Sequence, residues 1–174
     1  MAYADLLTIQ TLNTGDVLTA ACMTQARDNE EFLIDPPAVS VFASASQTVT
    51  SATFEFLTAD SENFDNDSMH STATLTSRIT IQTPGRYLFF SCVRLEQPVV
   101  TGNLTVRFMV NNTTSYVIGL HEVTSSAGHE TIVSGSRTIG PLVAGDYVSV
   151  ESRHSAAGDA EHTLDEFAAT FITR

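Results

Sequence analysis

Residues 64–95 read F-D-N-D-S-M-H-S-T-A-T-L-T-S-R-I-T-I-Q-T-P-G-R-Y-L-F-F-S-C-V-R-L. Ile79 and Ile81 alternate with Thr80 and Gln82, the period of a half-buried strand. Thr83-Pro84-Gly85 then reads as a turn, with Pro presetting φ at its first central position and Gly accepting positive φ at the next. A longer strand is predicted from 86 to 95. Its odd positions are Tyr87, Phe89, Ser91, Val93 and Leu95; its even positions are Arg86, Leu88, Phe90, Cys92 and Arg94. Successive side chains point to opposite faces, so this strand is apolar on both faces at its middle and charged only towards its ends. An antiparallel strand with one wet face alternates apolar with polar instead. One face therefore belongs to the core, and the other needs a second cover.

Period two continues through most of the chain beyond residue 37. Candidate strands fall at 38–43, 52–57, 72–75, 78–82, 86–95, 104–110, 115–123, 131–139, 146–151 and 164–173. Turn residues separate them: Thr101-Gly102-Asn103, Asn111-Asn112, Ser126-Ala127-Gly128, Ala144-Gly145-Asp146 and Ala157-Gly158-Asp159. About ten short strands at regular spacing predict an all-β sandwich or barrel. Ile79, Tyr87, Phe89, Val148, Val150, Phe167 and Phe171 are its expected core residues.

These residues carry a family resemblance. Gly85-x-Tyr87-x-Phe89, following a strand and a turn, resembles the signature of the C1q/TNF-like jelly roll. Asp67 stands where that family has Asn or Asp. Ile79 and Ser91 depart from it, each standing where an aromatic residue is common. Leu142-Val-Ala-Gly-Asp-Tyr-Val148 resembles the family's L-x-x-G-D-x-V stretch, and Phe167 and Phe171 resemble its closing strand, with Ala169 in place of Gly. The resemblance spans roughly 37–174 and implies an antiparallel two-sheet jelly roll of about ten strands that assembles in threes. With Leu88, Phe90 and Cys92 left on the face away from the core, a closed homotrimer would cover them.

Residues 1–36 read differently. An extended arm is expected at 6–12, a turn at Thr14-Gly15-Asp16, and a helix from 20 to about 33 capped by Thr19. Leu18, Cys22, Ala26, Asn29 and Leu33 form a thin stripe at roughly heptad spacing, too weak to hold an isolated helix of this length. The helix needs a partner, whether its own sandwich, copies of itself or another protein, and is expected to lie outside the sandwich against a neighbouring subunit. Asp35-Pro36-Pro37 ends it. The run T-G-D-V-L-T-A-A-x-M-x-x-x-R-D-N-x-x-F-L, residues 14–33, resembles the leader of many tailed-bacteriophage structural proteins, which precedes a variable, often trimeric knob. That resemblance implies virion attachment through Leu18, Cys22, Ala26, Asn29 and Leu33, with the domain boundary at 36/37.

Composition narrows the partners. The 174 residues suit one domain with a short appendage, and 43% hydrophobic residues support a full core. Twenty acidic residues against eight basic ones give a net charge of −12, which argues against nucleic acid and anionic membranes. All eight basic residues are Arg, as codon bias in a GC-rich genome would produce. The N-terminus M-A-Y-A-D-L-L lacks a basic n-region, and no apolar run is long enough to span a bilayer, so synthesis in a cytoplasm is expected. Cys22 and Cys92 have no metal spacing, and Cys92 is expected to be a buried free thiol.

Catalytic patterns fail in turn. His121-Glu122 and His129-Glu130 lack the second His of a zinc-protease helix, and no Ser stands in a G-x-S-x-G elbow. Asp65-Asn66-Asp67 opens like a calcium loop but has His70 at the sixth position and Thr76 at the twelfth. His154, Asp159 and His162 are expected in one solvated loop. No cofactor or metal is expected, and four Asn-x-Ser/Thr matches, at Asn66, Asn103, Asn111 and Asn112, are chance in a Ser/Thr-rich chain. The sequence therefore reads as a non-enzymatic tailed-phage structural protein, a trimeric capsid decoration or head-spike protein. It would be made in the host cytoplasm, sit on the outer surface of the virion, and have itself and the major capsid protein or another virion protein as partners. The alternative is a tail-fibre or tail-tip module that recognises a host surface glycan.

Overall fold

The computed structural model describes residues 19–96, 101–124, 130–155 and 157–173. The expected arm, the Thr14–Asp16 turn, Leu18, His129 and the turn at 126–128 lie outside them. Helix α1 (Ala20–Ile34) is followed by eleven strands among the described residues: β1 (Ala38–Phe42), β2 (Gln47–Val49), β3 (Glu55–Phe56), β4 (Ser61–Asp65), β5 (Arg78–Thr80), β6 (Gly85–Glu96), β7 (Thr101–Val110), β8 (Thr114–Thr124), β9 (Thr131–Leu142), β10 (Tyr147–His154) and β11 (Ala160–Thr173).

They form two antiparallel sheets. The larger runs β4-β1-β11-β6-β9, with β2 pairing the start of β11. The smaller runs β3-β10-β7-β8, with β5 pairing the start of β10. Each sheet turns one set of alternate side chains inward, so β6 is buried at its odd positions from Gly85 to Leu95 and more open at its even ones. Tyr87, Phe89, Ile79, Val148, Val150 and Phe167 are buried, and Phe171 is half-buried against the core. Aromatic rings link the interior: Phe171 to Tyr87 at 5.5 Å, Tyr87 to Phe89 at 6.2 Å, and Phe89 to Phe108 at 5.9 Å between centroids.

The turns show which local signals the chain uses. Asn111 and Asn112 both take positive φ, and Thr113 N donates to Val110 O, giving the tight connection between β7 and β8. Gly145 takes positive φ in the turn closed by Asp146 N donating to Val143 O. The Asp146 carboxylate then accepts from Val143 N and from Asn111 Nδ2, while Asn111 Oδ1 accepts from Tyr147 N. The G-D pair thus ties the β7–β8 turn to the start of β10. Gly85 works differently from expectation, because its φ is not positive. A Cβ there would run into Phe171 Cε2 and stand 2.9 Å from Thr173 O, so Gly85 is required for close approach of β6 to β11.

Other expectations also need correction. Residues 72–75 are not a strand; they form an exposed bend. The strand in that part of the chain is β4, whose polar S-E-N-F-D sequence pairs with β1 at the sheet edge. The predicted strand 52–57 contracts to β3, and β10 and β11 extend towards each other to His154 and Ala160. The helix is also tied to the sandwich. Phe32, outside the expected stripe, is its buried residue and packs edge-on against Phe171 at 5.0 Å. Asn66 fastens the linker that follows: it donates to Asp35 Oδ1 and Pro36 O and accepts from Ala38 N.

Candidate functional site: the outer face of the larger sheet

The register of β6 places Leu88, Phe90 and Cys92 together on the face of the larger sheet that points away from the core. Leu88 lies across from Thr138 and Thr170, Phe90 from Ser136 and Ala168, and Cys92 from Ser134 and Glu166. Leu88 is 42% exposed, while Phe90 and Cys92 are half-buried. The residues beside Phe90 are small and uncharged, so the middle of this face is flat and holds one large apolar side chain. The expected fully buried Cys92 is corrected accordingly: it is a half-covered free thiol on the outer face. Burial, and then the carboxylates of Asp165 and Glu166, push its pKa up, so it stays a thiol at neutral pH.

Charge gathers at the rims. Arg94 bonds Asp165 Oδ1 through Nη2 at 2.9 Å and reaches Glu130 at 3.3 Å and Glu96 at 3.6 Å. Asp165 and then Glu130 favour the charged form of Arg94 and push its pKa up. Glu166 accepts from the Ser40 hydroxyl, to which Asn63 also donates. The surroundings of Phe90 are thus small and uncharged, and the charged groups beyond them on this face are paired with one another or with hydroxyls.

On α1, the Thr19 hydroxyl accepts from Cys22 N, capping the first turn as its sequence implies. Cys22 and Asn29 are half-exposed, Ala26 is exposed, and Leu33 is 75% exposed; Met23 and Ile34 are also open. The helix therefore docks by its last turn and leaves the expected attachment residues largely uncovered.

The expected solvated His loop is overturned. His154 and His162 lie in β10 and β11, each 1% exposed, with ring centroids 5.2 Å apart; only Asp159 is exposed. His162 Nδ1 pairs with the Ser152 hydroxyl at 2.7 Å and His154 Nε2 with Val49 O at 3.0 Å. The other ring nitrogens, His154 Nδ1 and His162 Nε2, have no partner. Burial, then the neighbouring His154, lowers the His162 pKa to about 4. A Ser–His pair at this distance has the contact of a nucleophile and its base, but Ser152 is 0% exposed and no substrate can reach it.

The acidic loop is likewise occupied by its own backbone. The Asp65 carboxylate accepts from the amides of Asp67, Met69 and His70. Asp67 is 1% exposed with neither carboxylate oxygen hydrogen-bonded, and burial pushes its pKa up. Beside it, the Tyr87 hydroxyl donates to Thr83 O at 2.6 Å, and burial with the Asp67 charge raises the phenol pKa. Among the described residues no three His, Cys, Asp or Glu side chains are grouped to hold a metal. No helix among them is long and apolar enough to cross a membrane.

Comparison with solved structures agrees with this architecture. The globular domain of zebrafish complement 1qA superposes with a TM-score of 0.57 at 20% identity, over 79% of this chain and 98% of that one. Murine APRIL, crystallised at pH 8.0, superposes with a TM-score of 0.54 at 10% identity, over 78% of this chain and 98% of that one. The chain has the C1q/TNF-like jelly-roll fold, preceded by a short helix. No family model and no curated protein sequence matches it.

Proposed function

We propose that this protein is a non-enzymatic structural component of a tailed-phage particle, a capsid decoration or head-spike protein. Three copies associate through the outer face of the larger sheet, with Leu88, Phe90 and Cys92 towards the threefold axis. The apolar patch around Phe90 carries the proposal: Leu88 is exposed and Phe90 half-exposed in a single chain, and a closed ring of chains would cover both. The C1q/TNF resemblance favours three as the number. The phage assignment is supported by the sequence of residues 14–33, and the exposed Ala26 and Leu33 of α1, with the half-exposed Cys22 and Asn29, supply the surface for virion attachment. Residues 1–36 then act as the anchor and the jelly roll projects from the outer surface of the particle. Purified particles made with the chain lacking residues 1–36 test this reading. A folded trimer absent from the particles is expected in electron micrographs of labelled virions; full incorporation would refute it.

A second reading, a tail-fibre or tail-tip module that binds a host glycan, draws on another feature. The outer face of the smaller sheet, opposite the proposed contact, carries two shallow depressions around Arg78. Trimerisation through the larger sheet would leave them free.

A further inference from the structure

We propose that Arg78 is the anchor of a binding site for a carboxylate-bearing sugar on the outer face of the smaller sheet. The proposal names the ligand class of the glycan-binding reading and rests on that reading. Strand β5 pairs with β10 so that Arg78 lies across from Ser149 and Thr80 from Tyr147. Ile79 and Val148 point into the core between them. Arg78 is thereby fixed on the outer face, with its guanidinium carbon 4.4 Å from the centre of the Tyr147 ring. Stacking on an aromatic face leaves the in-plane N–H donors of a guanidinium directed sideways, the geometry that grips a carboxylate.

Those donors are uncommitted. Among the described arginines, Arg27, Arg94 and Arg107 pair with carboxylates, and Arg86 and Arg153 donate to backbone carbonyls. The Arg78 guanidinium has no such partner, and its Nε is buried without a hydrogen bond. Arg137 is also stacked on a tyrosine, Tyr116, and lines neither of the two depressions beside Arg78.

The surroundings select the ligand. Acidic residues outnumber basic ones 20 to 8 in this chain, yet neither depression beside Arg78 is lined by a carboxylate. One, of about 140 Å³, sets Phe56 against the polar side chains of Ser77, Asn112, Tyr147 and Ser149; the other, of about 180 Å³, continues past Thr80. Both are smaller than the roughly 300 Å³ of pockets that enclose a drug-sized ligand, and their size suits single rings lying partly in solvent. An apolar ring beside hydroxyl and amide groups matches a pyranose, which offers C–H faces and hydroxyl edges. A lone guanidinium, without a cradle of backbone N–H groups, suits one carboxylate better than a phosphate.

The test is an amide NMR titration of the full chain with D-glucuronate, its methyl ester, D-glucose, inorganic phosphate and a glutamate-rich peptide. Glucuronate is expected to shift the amides of Arg78, Asn112, Tyr147 and Ser149. Both the methyl ester on the wild-type protein and glucuronate on Arg78→Gln are expected to bind about tenfold more weakly, the loss of one charge-assisted contact. Equal binding of the ester, of phosphate or of the peptide would overturn the proposal, as would unchanged binding to Arg78→Gln. Glucose binding alone, at other amides, would remove Arg78 from the account and leave the glycan reading standing. No response to any sugar would end both.

Discussion

Acid should loosen the end of the sandwich where β2, β10 and β11 meet, through His162. Its ring is buried, one nitrogen engaged by Ser152 and the other without a partner. Protonation would place a charge there with one ring N–H unsatisfied, while the nearest carboxylates, Glu55 and Glu161, only partly offset it. The folded protein holds the His162 pKa at about 4, and the ordinary value is 6.5. Between those values the unfolded chain carries more protons, so stability falls as pH falls from 6.5 towards 4 and levels off below. The full interval corresponds to roughly 3 kcal/mol, of which about 2 kcal/mol is lost between pH 7 and pH 5. That is a large share of a typical total of 5–15 kcal/mol. His162→Gln keeps a polar partner for Ser152 and cannot titrate. Urea unfolding at fixed protein concentration, followed by circular dichroism because the chain has no Trp, should show the wild type losing about 2 kcal/mol more than the variant between pH 7 and pH 5. Parallel pH profiles for the two proteins would refute the reasoning.

The buried Asp67 has the opposite sign. Its raised pKa means that ionisation opposes folding, so Asp67→Asn should be more stable than the wild type at pH 7, with the gap closing as acid protonates the wild-type carboxyl; denaturation midpoints at pH 7 and pH 4 measure it. Phe32→Ala removes the ring that packs on Phe171 and should free α1 at a cost of roughly 3 kcal/mol, seen as fast amide exchange across Ala20–Ile34 while β6 stays protected. Gly85→Ala puts a methyl group into Phe171 and near Thr173 O, and should lower stability by about 1–3 kcal/mol in thermal unfolding.

The fold was legible where side-chain period and turn chemistry agreed. The alternation through β6, the Asn111-Asn112 turn and the Gly145-Asp146 turn each carry a local signal that the tertiary structure keeps. It was illegible where burial comes from distant chain. β4 is polar because it is an edge strand, and its S-E-N-F-D sequence has no strand period strong enough to be found alone. His154 and His162 look like loop residues beside Arg153, Asp159 and Glu161; only the pairing of β2 with β11 and the extension of β10 bury them. Phe32 fell outside the heptad stripe because its partner, Phe171, lies at the far end of the sequence. Leu88, Phe90 and Cys92 could be grouped from alternation alone, since residues two apart on a strand share a face. Arg78 showed no such signal: its open donors appear only once Tyr147 is placed beneath it.

Sedimentation equilibrium of the wild-type chain and of Phe90→Asp tests the central claim most directly. The wild type should sediment as a trimer at micromolar concentration. Phe90→Asp brings three carboxylates together in a poorly hydrated contact at a cost of several kcal/mol, and should sediment as monomer or aggregate. A trimeric Phe90→Asp would place the contact on another face, and a wild-type protein that remains a monomer at micromolar concentration would contradict the account.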